Sequence, residues 1–164
     1  MDANGQYVYL GTHVKWKSDR KKELQVLWTY AILLAAAALL AGCFPGSGLE
    51  DSALALLPYA GEVGCALYLI WKLISLTWAG GLIRTYTYEA TVPKMPGMAK
   101  AAMVLSLVSC AGHLITLIYS LIRGNELEVS LWGVLILYVL LILAAAAAYG
   151  FAGRISRLEW DFSS

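Results

Sequence analysis

Few residues in this chain have the type and the setting to do chemistry. Lys72 stands in an apolar stretch 12 residues before Arg84, and His113 stands in another, 13 residues after Lys100. At helical rise these separations place the two side chains ~18 Å and ~20 Å from a common basic boundary. A Lys and a His at similar depth on neighbouring helices, with Ser75 and Ser109 as companions, compose a candidate intramembrane polar site. A charged Lys at the bilayer centre costs at least ~2.5–3.5 kcal/mol. Lys72 is therefore expected to face the bundle interior, to snorkel, or to lose its proton and accept a hydrogen bond from the imidazole. The chemistry on offer is proton-coupled movement or ligand binding. The plainer reading is a buried polar contact that fixes helix packing, and the lack of an acid at that depth favours it.

Glu62 and Arg123 form a second candidate pair. They lie 22 residues before Arg84 and 23 residues after Lys100, which is ~33 Å and ~35 Å along a helix. Both are expected at the outer interface, as a structural ion pair whose partial solvation keeps its net worth small. Ser106, Ser109, Cys110, His113, Thr116 and Ser120 recur mainly at steps of three and four. They make one small, polar helix face that packs against a neighbour or lines a cavity.

Cys43, Cys65 and Cys110 stand singly in apolar surroundings, with no CxxC pair. That argues against a thiol relay and against a zinc site built on close cysteines. Leu40-Ala41-Gly42-Cys43 matches the bacterial lipobox and follows a basic region and an apolar run. A leader of that length, with three further spans after it, makes lipidation at Cys43 the lesser expectation. The chain has no P-loop, HExxH, GxSxG or Rossmann glycine pattern, and only two histidines. No catalytic residue, metal site or cofactor is expected, and nothing favours an enzyme.

The elements that must position these residues follow from composition. Of 164 residues, 60% are apolar and 14% charged, against ~25% charged in soluble domains. A chain this short cannot hide that much apolar surface in one core, so lipid must cover the remainder. Four stretches meet the ~20 residues needed to cross the hydrocarbon layer: about 24–43, 54–83, 99–122 and 131–152. The fold class is an all-α, integral membrane four-helix bundle with short loops, one transmembrane domain over 1–164, with a short N-terminal segment, 1–23. Consecutive helices should pack antiparallel. The alanine runs at 35–38 and 144–148 and Gly61, Gly64, Gly112, Gly133 and Gly150 read as close-approach surfaces. Phe44-Pro45-Gly46-Ser47-Gly48 and Val92-Pro93-Lys94-Met95-Pro96-Gly97 read as breaks between spans.

Charge orients the bundle. Lys15, Lys17, Arg20, Lys21, Lys22, Arg84, Lys94, Lys100, Arg154 and Arg157 fall on one side, and Glu50, Asp51, Glu126 and Glu128 on the other. By the positive-inside rule both termini and the middle loop are cytoplasmic. Trp28, Trp78 and Tyr149 mark the inner boundary, and Tyr59, Tyr119 and Trp132 the outer one. The basic cluster before the first span suits anionic lipid headgroups. Gln6-Tyr7-Val8-Tyr9-Leu10-Gly11 and Thr85-Tyr86-Thr87-Tyr88-Glu89 alternate weakly and could pair as short strands, although the second could equally extend its helix. The net charge of +1 gives no reason to expect nucleic acid as a partner.

Tyr7-Val8-Tyr9-Leu10-Gly11 ahead of a basic run, the first span, and Leu57-Pro58-Tyr59 opening the second together resemble uncharacterised small four-span membrane proteins of Gram-positive bacteria. The resemblance covers the first half of the chain. It implies a bacterial cell-membrane protein and brings no catalytic residues. Four-span quinone-linked thiol enzymes differ in their paired cysteines. Small multidrug transporters differ in the acid they place within the first span. The function expected is that of a small accessory or assembly subunit acting through helix–helix contacts, as a homo-oligomer or with a membrane protein partner. The alternative is a small transporter or channel subunit using Lys72 and His113.

Overall fold

The computed structural model describes residues 13–44, 47–49, 52–123 and 129–163. Its apolar runs form four long helices: α1 (Arg20–Cys43), α2 (Ala53–Trp78), α4 (Met95–Arg123) and α5 (Leu131–Ser156). A short strand, β1 (His13–Trp16), precedes α1. A second, β2 (Leu82–Arg84), follows α2 and leads into a two-turn helix, α3 (Thr85–Thr91), and a 3-10 turn, Val92–Lys94. A third strand, β3 (Trp160–Ser163), closes the chain. The long helices have 24, 26, 29 and 26 residues, enough to cross the ~30 Å hydrocarbon layer at helical rise. The four expected spans are therefore present.

Their ends differ from expectation in two places. α2 stops at Trp78, not at residue 83, because Gly80 takes a left-handed φ of 78° and turns the chain into β2. α4 starts at Met95, earlier than residue 99. Pro93 sits in the 3-10 turn and Pro96 in the first turn of α4, where a missing N–H costs nothing. At the start of α1, Asp19 Oδ1 accepts a hydrogen bond from the Lys21 backbone N–H at 3.1 Å.

α1 packs on α2 and α5, and α4 packs on the same two helices, which closes a four-cornered bundle. Along the spans of α1 and α5 every wall is apolar, so side-chain size decides which wall turns inward. On α1, Ala31, Ala35, Ala38 and Ala41 are buried while Ile32, Leu33, Leu39 and Leu40 face outward. On α5, Ala144, Ala145, Ala147 and Ala148 are buried against them. Small residues let the two backbones approach, which is how helices associate when lipid is as apolar as the interface. Leu69, Leu73, Leu76, Leu137, Leu141 and Phe151 are wholly buried and fill the axis.

The three strands form an antiparallel sheet in the order β2-β1-β3 across one end of the bundle. Val14 pairs with Ile83 on one side and Phe162 on the other. Val14 and Ile83 are wholly buried. Trp16 and Trp160 meet at 4.4 Å between ring centroids, and Tyr88 of α3 meets Trp160 at 5.1 Å and Phe162 at 5.4 Å. A strand pair at this end was anticipated, but at other residues. The 6–11 stretch lies outside the described residues, and residues 85–89 belong to α3. Tyr88 uses its helical position to reach the aromatic pair on β3. The third strand, drawn from the charged tail, was not anticipated.

Candidate functional site

In the half of the bundle away from the sheet, α2 and α4 approach closely. Pro58 has no N–H to give the carbonyl four residues back, on Leu54. Gly112 brings the α4 backbone onto that carbonyl, where a Cβ would sit 2.5 Å from Leu54 O. Ser109 Oγ donates to Ala55 O at 2.9 Å, and Ser52 and Thr116 share a hydroxyl hydrogen bond at 2.6 Å. The small polar face expected on the third span therefore packs against α2. Gly150 likewise lies against the ring of Tyr30, and Gly61 against Leu105. Gly64 was expected to be a close-approach residue but is exposed, with nothing within 4 Å of its missing Cβ.

His113 is wholly buried and acts as a tie. Its Nε2 lies 2.8 Å from Ser47 O and its Nδ1 lies 3.2 Å from Tyr138 Oη. A carbonyl only accepts, so Nε2 carries the proton, and in a neutral ring Nδ1 accepts from the tyrosine. One side chain thus joins the segment after α1 to α4 and α5.

Glu62 is the exception in this half. It is 0% exposed, and neither carboxylate oxygen has a hydrogen-bond partner among the described residues. Ser106 faces it across the α2–α4 interface, but the Ser106 hydroxyl donates to Ala102 O of its own helix at 3.1 Å. Glu62 stands nine residues from the start of α2 and sixteen from its end, or ~14 Å and ~24 Å. It therefore stands more than two turns inside either end of a helix long enough to span a membrane. Arg123, the last residue of α4, places its guanidinium 4.6 Å from the centroid of the Tyr119 ring. The expected Glu62–Arg123 ion pair is not formed.

The Lys72–His113 pairing also fails. Lys72 is six residues from the end of α2, or ~9 Å, and its Nζ lies 5.3 Å from the centroid of the Tyr68 ring. His113 is ten residues from the opposite end of its own helix. On these antiparallel helices Ser109 meets Ala55 and Gly61 meets Leu105, so Lys72 and His113 occupy opposite halves of the bundle. Ser75 bonds Trp71 O within its own helix at 3.1 Å, and Ser109 belongs to the α2–α4 seam. The four candidates do not converge. Both differences come from the reference points: Arg84 lies beyond the end of α2 at Trp78, and Lys100 lies inside α4, which already begins at Met95, so neither marks a helix end.

The sheet end holds what sequence reasoning missed. Arg154 Nε and Nη2 donate to the two oxygens of Glu23 at 2.7 Å each, a fork-to-fork geometry that joins the start of α1 to the end of α5. Glu23 follows Lys21 and Lys22 and reads as part of a solvated charge run. Its spacing to Leu27, Ala31 and Leu34, all buried, was the signal that it faces inward. Arg20 Nη2 donates to Thr77 O at 2.7 Å, and Trp28 Nε1 to Thr77 Oγ1 at 3.1 Å. A cation thereby sits on the carbonyl end of α2, where the helix dipole favours it. Lys17 and Glu159 pair at 2.8 Å. Each holds the other charged, so the Lys17 ammonium is pushed up and the Glu159 carboxyl down from their ordinary ranges. Lys17, Glu23, Arg154 and Glu159, with Arg157, line an open cavity of about 350 Å³.

Cys43 is exposed at the last turn of α1, Cys65 is buried and Cys110 is half-buried. The arrangement offers a packed interior, a hydrogen-bonded α2–α4 seam, and one buried carboxyl group with no hydrogen-bond partner among the described residues. Comparison with family models, with curated proteins and with solved structures finds no match for this chain.

Proposed function

We propose that this multi-helix membrane protein is a small accessory or assembly subunit, acting through helix–helix contacts in a bacterial cell membrane. The observation that carries the reading is the packed interior. Leu34, Leu69 and Leu76 belong to one buried core and Ala41, Leu137 and Leu141 to a second, so the inward faces of the helices are used for contact with one another. The large apolar side chains that face outward, such as Leu57, Trp71, Leu121 and Val139, suit lipid and a neighbouring helix equally. The basic residues gathered at the sheet end support a cytoplasmic placement of that end by the positive-inside rule.

A second reading, a small transporter or channel subunit, loses its first motive because Lys72 and His113 stand apart. Glu62 supplies another. A buried ionisable group without a partner, at membrane depth, is where transported protons or cations are commonly handled. Water access separates the two readings. A membrane-impermeant maleimide applied to right-side-out and inverted vesicles should label Cys43 and leave Cys65 and Cys110 unmodified. Labelling of Cys110 at a rate near that of Cys43 would reject the packed bundle and favour the transport reading.

A further inference from the structure

Near the sheet end, α4 and α5 leave a groove of about 470 Å³ on the outside of the bundle. We infer that this groove is a binding site for one anionic phospholipid, with Lys100 and Arg157 holding the phosphate and the apolar floor holding an acyl chain.

The floor is built by spacing. Tyr149, Ala152 and Gly153 lie at steps of three and four on α5, and Met103 and Val104 face them from α4. Gly153 has nothing within 4 Å of where its Cβ would be, so the groove stays open because that side chain is missing. The walls carry no charge until the mouth. There Lys100 and Arg157 enter from the two helices, both exposed. Two acids near this end are committed elsewhere, Glu23 to Arg154 and Glu159 to Lys17. Among the described residues neither Lys100 nor Arg157 pairs with a carboxylate. Two cations from different helices thus stand over an apolar trough running eight residues along α5 to Tyr149, or ~12 Å. That is the order a phospholipid presents: phosphate at the margin, then hydrocarbon below. Basic pockets between membrane helices bind anionic headgroups on this principle. Lys21 and Lys22 of the basic cluster before α1 do not line this groove.

The test is native mass spectrometry of the full chain in detergent, titrated with phosphatidylglycerol or with phosphatidylcholine of the same acyl chains. One phosphatidylglycerol should be retained per chain in preference to phosphatidylcholine, and inorganic phosphate should not compete. Lys100→Ala with Arg157→Ala should weaken retention about 30-fold. Gly153→Leu, which fills the trough without changing charge, should also weaken it. Lys21→Ala with Lys22→Ala should not, and the charge-conserving Lys100→Arg with Arg157→Lys should retain the lipid, which separates lost binding from lost folding. Equal retention of the two lipids, retention that survives the alanine pair and Gly153→Leu, or loss confined to the Lys21/Lys22 variant would each overturn the assignment.

Discussion

Glu23 and Glu62 are both buried carboxylates, and their two ends of the bundle treat them in opposite ways. Glu23 sits in the first turn of α1 at the sheet end, where Arg154 meets both of its oxygens at 2.7 Å and water is close to the arginine, whose side chain is 42% exposed. Glu62 sits well inside the span of α2, with neither oxygen partnered among the described residues. The sheet end uses its charges as ties: Glu23 to Arg154, Arg20 to Thr77 O near the end of α2, Lys17 to Glu159. The far half ties itself with neutral groups: Ser109 to Ala55 O, His113 to Ser47 O, Tyr59 to Ala38 O. The difference follows from the solvent. At the water margin a paired charge has a small desolvation penalty, whereas in hydrocarbon only neutral donors aimed at carbonyls are inexpensive. Against that pattern Glu62 stands out as the residue whose retention packing does not explain.

Substitutions can break this contrast at several strengths. The largest effect is expected at Gly112. Its missing Cβ lies 2.5 Å from a backbone carbonyl, which cannot swing aside as a side chain would. Gly112→Leu should cost about 3 kcal/mol or more and prevent recovery of the folded bundle, read as loss of the monodisperse peak on size exclusion in detergent. Gly64→Leu, on the open face of α2, should leave that peak unchanged. Next comes Arg154→Met, which strands Glu23 at the water margin. Breaking a fully buried pair costs ~3–5 kcal/mol, and the exposure of Arg154 reduces the expected loss to about 2 kcal/mol. Thermal unfolding followed by circular dichroism checks it, and adding Glu23→Gln should restore part of the loss. The smallest effect should have the opposite sign. Glu62→Leu removes a polar group left without partners and should stabilise the bundle by about 1–2 kcal/mol. A destabilised Glu62→Leu variant would mean that the carboxyl group has a partner in the membrane.

The four spans were legible because apolar runs of this length have one solution in lipid, and the inward alanine faces were legible because size, not polarity, sorts the walls of such helices. The end of α2 was masked by Leu82 and Ile83, which continue the apolar run, although the Gly80-Gly81 pair is turn chemistry and Gly80 makes the left-handed turn there. That slip carried into the site, since it moved Lys72 to mid-membrane and Glu62 to the interface. The strand pair was read in nearby but different residues. Alternation in Thr85-Tyr86-Thr87-Tyr88 fits a strand, and three-dimensional contact with Trp160 and Phe162 decided for a helix. The His113 tie to Ser47 and Tyr138 joins parts of the chain far apart in sequence, which periodicity along one helix cannot reveal. Cys43 remains a candidate for lipidation on its motif alone.

The proposed accessory role is tested most directly by the native mass of the protein extracted gently from its own membrane. An unprocessed chain carried in a heavier assembly that contains a different membrane protein in fixed ratio is the expected result. A chain found only alone, with a solute gradient dissipated by the wild type and preserved by Glu62→Gln, would contradict it.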